Sequence, residues 1–190
     1  MKFYDDHAER YAAQTLSIDM SSIYQRFLSY LPAGAKILDA GCGPGRDLRF
    51  FRSKGYHAEG FDSSIEMVKL ALKENLPVRH LSFEQVDWSC CFDAVWASAS
   101  LLHLPKSSVP SAVMKLVQVL KEKGVLYASL KVGEGESLSE DGRFFSYYRE
   151  EEVRQMIAKE ELLEIRELWM TQDGASRAEV QWLNIIAVRR

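Results

Sequence analysis

Residues 37–51, ILDAGCGPGRDLRFF, pass from an apolar run through three glycines in five positions and back into helical spacing. A strand that enters such a turn and leaves as a helix brings backbone N–H groups and a helix N-terminus to one point at the carboxyl edge of a sheet, where open α/β folds bind ligands. Gly41, Gly43 and Gly45 lack Cβ atoms, so the backbone can take positive φ and approach a bound molecule closely. A simple strand-to-helix connection does not require so many. The spacing is GxGxG, not the GxGxxG of dinucleotide sites, and Asp39 precedes it. A carboxylate there repels a pyrophosphate, yet it can accept hydrogen bonds from a ligand's ammonium group or from the loop itself. The turn is read as a site for a nucleoside with a cationic tail.

Outward from the turn, strand and helix signals alternate. Apolar periodicity predicts helices over 46–54, 65–74 and 107–120, and strands over 36–40, 56–61, 78–83, 92–97 and 124–132. Two helices, 3–15 and 18–31, precede the first strand, and Pro32 and Gly34 end the second of them. After a segment over 134–141 read as a mobile surface loop, a helix over 149–159 leads into strands 162–171 and 180–188, joined by QDGAS. The DG turn signal predicts a hairpin, which makes the last strand antiparallel. The expected fold is α/β, a doubly wound, Rossmann-like, seven-stranded and mostly parallel sheet with an antiparallel last strand and two N-terminal helices.

Composition narrows the function classes. With 190 residues the chain reads as one domain, large enough to bury about 70% of the surface its unfolded chain exposes. Its three cysteines, Cys42, Cys90 and Cys91, form no zinc spacing, and the adjacent pair is poorly placed to bridge, so no metal or disulfide is expected. The opening MKFYDDHAERYAAQ is charged and lacks an apolar core segment, and no apolar run approaches the roughly 20 residues a membrane span needs. A reduced, cytoplasmic protein without a membrane partner is expected. Lysine and arginine number 24 against 27 acidic residues, and a net charge of -3 supplies no general attraction for nucleic acid.

A second acidic residue tests the ligand reading. Asp62, in GFDSSIEMV, ends the second strand 21 positions after Gly41, where a carboxylate can take both ribose hydroxyls. Its alternative role is capping the helix at Ile65, which Ser63 or Ser64 would fill equally well. With Leu38-Asp39-Ala40-Gly41-Cys42-Gly43-Pro44-Gly45 on one strand end and Asp62 on the next, the sequence resembles the class I S-adenosylmethionine-dependent methyltransferases. The resemblance runs from Tyr4 to the final strand and implies the same reversed seventh strand. It implies S-adenosylmethionine as cofactor, with Ser63 and Met67 near the adenosine. The third strand departs from the pattern of the family it resembles: Leu81-Ser82-Phe83-Glu84 has no Asp at the strand end, leaving Ser82 or the Phe83 backbone for adenine. Ser98, after the fourth strand, falls in the segment that runs beneath the cofactor. The runs SLLHLP and DGRFFSYYREEEV are similar to small bacterial methyltransferases of the tellurite-resistance type, which implies a small, soft or oxyanionic acceptor.

Acceptor-side candidates follow from position. Tyr4, His7 and Tyr11 share one helical face, either as a packing stripe or, as the resemblance implies for Tyr11, as a lid over the cofactor, so that residues 1–31 act as a helical lid. His103 follows the fourth strand and is the candidate general base, or else a residue that shapes the site. Lys131, Arg143, Tyr147 and Tyr148 would suit an oxyanion or carboxylate if they converge, or else are solvated loop residues. The expected function is methyl transfer to a small molecule. A transfer-RNA methyltransferase lacks its basic stripe here, a cofactor-binding regulatory module without chemistry remains the alternative of another class, and a nicotinamide enzyme is disfavoured by GxGxG and Asp39.

Overall fold

The computed structural model describes residues 2–159, 161–174 and 180–190. Strand β1 (Lys36–Ala40) lies at the middle of the sheet, and four of its five residues are buried because helices cover both faces. It pairs in parallel with β2 (His57–Asp62) on one side and β4 (Phe92–Ala97) on the other. Beyond these lie β3 (Val78–His80) and β5 (Leu120–Val132), also parallel. Strand β9 (Gln181–Arg189) then runs antiparallel between β5 and β8 (Leu163–Gln172). The strand order reverses between β1 and β4, and a crevice opens at their carboxyl ends.

Neighbouring residues along each strand serve opposite cores, as the two-residue period requires. Ile37, Trp96 and Tyr127 face helices α3 (Ser21–Leu28) and α4 (Arg46–Ser53) through Phe27, Leu48 and Phe51. Leu38, Val95 and Leu126 face α6 (Val109–Val119) and α7 (Glu150–Lys159) through Val113, Leu116 and Val153. Helix α5 (Ile65–Lys73) buries Met67, Val68 and Ala71 and is capped by the Ser64 hydroxyl, which accepts from Met67 N.

The expected α/β sheet with a reversed last strand is present, and four local expectations are corrected. The predicted helix over 3–15 breaks at His7 (φ -130, ψ 21) into α1 (Lys2–Asp6) and α2 (Ala8–Thr15), so three helices precede β1. Asp19 accepts from Ser21 N at 2.8 Å, which starts α3 three residues later than apolar periodicity placed it. The third strand stops at His80, because Ser82 and Gln85 cap a 3-10 turn over Phe83–Gln85. The segment read as a mobile loop contains β6 (Glu136–Leu138), which pairs antiparallel with β7 (Phe144–Tyr148). Strand β7 joins the end of β5 at Lys131 and Val132, giving nine strands among the described residues. A bidentate Asp141–Arg143 pair and the Ser139 N to Arg143 O bond of 2.8 Å hold that hairpin turn. In QDGAS, Asp173 and Gly174 follow β8, while Ala175 and Ser176 lie outside the described residues.

Candidate active site at the glycine turn

The three glycines of the turn do different work. Each has positive φ, at 82, 53 and 86 degrees for Gly41, Gly43 and Gly45. A Cβ at Gly41 would strike the Ser100 side chain at 2.4 Å, and one at Gly45 would strike Leu76 at 2.2 Å, so these two serve close packing. At Gly43 a Cβ would meet nothing within 4 Å. Gly43 is thus the point where backbone faces open space.

Around the turn stand three buried carboxylates. Asp62 accepts from Gly43 N through Oδ2 and from Ser64 N through Oδ1, both at 2.8 Å. An ionised carboxylate has about four lone-pair sites, so two hydrogen bonds fix its orientation and leave capacity for two hydroxyls. Burial, opposed by those two N–H donors, holds its pKa above the usual carboxylate range. Asp39 is 2% exposed, and its Oδ2 has no partner. Burial, with the charge of Asp47 adding to it, pushes Asp39 well above its ordinary pKa. Asp47 is instead fully engaged. Its carboxylate accepts from Tyr24 Oη at 2.5 Å and Trp96 Nε1 at 2.6 Å, and pairs with Arg46 through Nε at 2.5 Å and a terminal nitrogen at 3.0 Å. Despite burial, these donors hold Asp47 below its ordinary pKa. Sequence reading missed this network; its one local signal is Arg-Asp directly after the glycines, which alone reads as an ordinary first helical turn.

A cavity of about 1050 Å3 begins at Gly41 and Gly43, passes Arg46 and Asp47, and reaches the ends of β4, β5 and the β8–β9 pair. Of the sequence candidates it brings together Tyr11, Gly41, Gly43, Ser98, His103, Lys131 and Arg143. Ala99 beside them has φ 51, and its N–H is held by the buried Ser129 hydroxyl at 2.8 Å. A non-glycine residue in that region is uncommon and stores local strain. Tyr4, first read as one member of a helical stripe, lines the cavity and lies 2.7 Å from His103 through its hydroxyl. Lys131 Nζ sits 3.5 Å above the Phe145 ring centroid, and the Arg143 guanidinium lies over Phe3 and Phe145 while pairing with Asp141.

The remaining candidates lie apart from the cavity. Asp62, Ser63, Met67, Ser82 and Phe83 line the next strand ends, where α1 packs on α5 and Asp5 accepts from the Ser64 hydroxyl at 2.6 Å. Met67 and Phe83 are buried, Ser63 offers its carbonyl to His80 Nε2 at 3.1 Å, and Ser82 caps its 3-10 turn. Tyr147 shares a hydrogen bond with Ser137, and Tyr148 is buried beneath Lys106 with its pKa pushed up to about 12 by burial. Burial likewise pushes the Cys42 thiol up, so it stays protonated.

The site suits a cationic nucleoside on its own chemistry. Asp39 is a buried acid with an unpartnered oxygen, Gly43 leaves room for close approach, and Asp62 is oriented with acceptor capacity to spare. Comparison with known proteins agrees. The methyltransferase domain family model matches residues 8–167. A malonyl-[acyl-carrier protein] O-methyltransferase of Pectobacterium atrosepticum is 30% identical over 122 residues, 61% of this chain and 47% of that protein. The chain spans about half the length of the curated relatives first matched. A Burkholderia thailandensis 1,6-didemethyltoxoflavin-N1-methyltransferase, solved with bound 1,6-didemethyltoxoflavin and S-adenosylhomocysteine, superposes with a TM-score of 0.80 at 18% identity, covering 99% of this chain and 84% of that one. The [4+2]-cyclase SpnF superposes at 0.77 with 16% identity, covering 99% and 94%. The family match, the sheet order and the acid-flanked glycine turn converge: this chain belongs to the methyltransferase domain family, the S-adenosylmethionine-dependent methyltransferases of Rossmann-like fold.

Proposed function

We propose that this protein methylates a small-molecule acceptor, using S-adenosylmethionine and releasing S-adenosylhomocysteine. The observation that carries the reading is the single cavity running from Gly43 to His103, which joins the glycine turn to a second set of polar and aromatic groups. When bound, S-adenosylmethionine supplies an activated methyl group on a sulfonium, so the chain has to bind, orient and exclude water. Asp62 receives the ribose hydroxyls, with Ser63, Met67, Ser82 and Phe83 around the base. Asp39, Gly41, Gly43 and Ser98 hold the amino-acid end, with Tyr11 over it. Residues 1–31 act as a lid on a single domain: with α1 seated on α5, Asp62 is 8% exposed, and the nucleoside reaches it when α1 lifts.

The acceptor end favours neutral or anionic molecules. Lys131 and Arg143 flank His103 there, and Tyr147 and Tyr148 support the hairpin behind them. Asp19, Asp47, Glu140, Asp141 and Asp173 share the cavity lining with Arg10, Arg46, Lys131 and Arg143, so among the described residues the lining is of mixed sign and offers no single-sign stripe to a phosphate backbone. That favours a small molecule over transfer RNA. The likeness to tellurite-resistance-type enzymes in SLLHLP and DGRFFSYYREEEV supports a small acceptor in the same way. A cofactor-binding module without methyl transfer is the second reading, because the fold alone does not fix the chemistry: a protein named as a [4+2]-cyclase shares it.

The test is turnover to S-adenosylhomocysteine on a panel of 4-nitrophenol, lumazine, a malonate monoester, tellurite, phosphoethanolamine and bulk transfer RNA. Methylation of a small anionic or neutral member is expected. Turnover on transfer RNA alone, or on nothing while the cofactor binds, contradicts the proposal.

A further inference from the structure

Tyr4 and His103, 99 residues apart, share a 2.7 Å hydrogen bond between the phenol oxygen and Nε2. The other ring nitrogen, Nδ1, lies 2.8 Å from the carbonyl oxygen of Phe144. A carbonyl can only accept, so Nδ1 carries the proton, and in the neutral imidazole Nε2 is then bare. Burial, with the charges of Lys131 and Arg143, pushes the His103 pKa down to about 4, so the ring is neutral at pH 7. Nε2 therefore accepts the phenol proton of Tyr4. Both nitrogens of His103 are engaged within the protein, and neither has a free lone pair for a molecule in the cavity. Tyr4 lines that cavity, held edge-on by Tyr11 at 5.0 Å and Phe3 at 5.3 Å.

We infer that Tyr4 is the catalytic proton acceptor for the N–H or O–H of the methyl acceptor, and that His103 is the positioning residue that takes up the phenol proton; this rests on the methyl-transfer reading above. The acceptor's lone pair forms the new bond to the methyl carbon, and the broken carbon–sulfur pair stays on sulfur. The acceptor's N–H or O–H becomes acidic as that bond forms. Its proton passes to Tyr4 Oη while the phenol proton passes to His103 Nε2, leaving a neutral tyrosine and an imidazolium. After product release the proton returns through Tyr4 to solvent.

The relay also selects the acceptor. An imidazole of such low basicity cannot deprotonate an alkylammonium beforehand, whereas it can take a proton made acidic by the reaction itself. Two neighbouring cations disfavour an ammonium in the same direction. A carboxylate has no proton to give. The fitting class is a phenol, an enol or a heteroaromatic N–H compound.

Two readouts test this, one of them independent of turnover. Nitrogen NMR of the labelled protein with S-adenosylhomocysteine should show His103 as the Nδ1–H tautomer, with the Nε2 signal shifting in Tyr4→Phe. With lumazine or 4-nitrophenol as acceptor, at a pH of about 6 where both keep their proton, Tyr4→Phe and His103→Asn should each lower kcat by about 100-fold, with any loss of S-adenosylhomocysteine affinity through the seating of α1 far smaller. The double variant should lose no more than either single one, because the pair acts as a unit. An Nε2–H tautomer, or full kcat in Tyr4→Phe, overturns the relay while methyl transfer stands. A wild type that methylates no member of the panel overturns both the function and the relay.

Discussion

Asp39 is buried at the end of β1 with one oxygen unpartnered and Asp47 and Asp62 close enough to raise its pKa further. A carboxyl whose folded pKa exceeds its unfolded value contributes stability that is fully present below the unfolded pKa and lost as pH rises through the folded one. Asp39→Asn removes that loss. The variant should therefore gain stability over wild type, measured by denaturant unfolding, as pH is raised from about 4 to 8. At pH 8 it should nonetheless bind S-adenosylmethionine and S-adenosylhomocysteine about tenfold more weakly, since both carry the ammonium that a carboxylate would pair. A variant that is both less stable and unchanged in affinity would mean Asp39 serves the loop alone. At this scale the sequence was legible where placement is local: Asp39, Asp62 and the glycines lie at the strand ends where their spacing put them. Asp47, Tyr24 and Trp96 meet from three separate elements, and Tyr4 meets His103 across 99 residues, so no spacing rule announces either group.

Helix α1 has five residues, too few to be stable alone, so its place depends on the Tyr4–His103 and Asp5–Ser64 hydrogen bonds and on Phe3 beneath Arg143. Such an element opens at low free-energy cost. Amide hydrogen exchange over residues 2–8 should be fast in the free protein and should slow at least tenfold with S-adenosylhomocysteine bound, while β1 and β4 stay protected throughout. Unchanged exchange over α1 would contradict the proposed lid. The helices of the sheet were legible from apolar periodicity because their burial is one-sided. The break at His7 was not, since it interrupts no apolar stripe. The β6–β7 hairpin was hidden by Gly, Glu and Ser, residues that rarely form strands, and it exists because the end of β5 offers Lys131 and Val132 as a pairing edge.

The whole molecule is a two-sided sheet with a crevice where its strand order reverses, lined in part by the short helices of the N-terminal segment. Strand alternation made that architecture legible, because parallel strands covered on both faces read as short apolar runs between helices. The bay proposed for the acceptor was not legible, because it is assembled from α1, the end of β5, the β6–β7 turn and the β8–β9 pair, which meet only in the folded chain. The central claim is that the glycine turn and Asp62 together hold a sulfonium nucleoside. Calorimetric titration of wild type and Asp62→Ala with S-adenosylmethionine, S-adenosylhomocysteine and NAD tests it directly. The account predicts micromolar binding of the first two to wild type, weakened more than about tenfold in the variant, with NAD silent. Equal affinity in the variant, or preference for NAD, would contradict it.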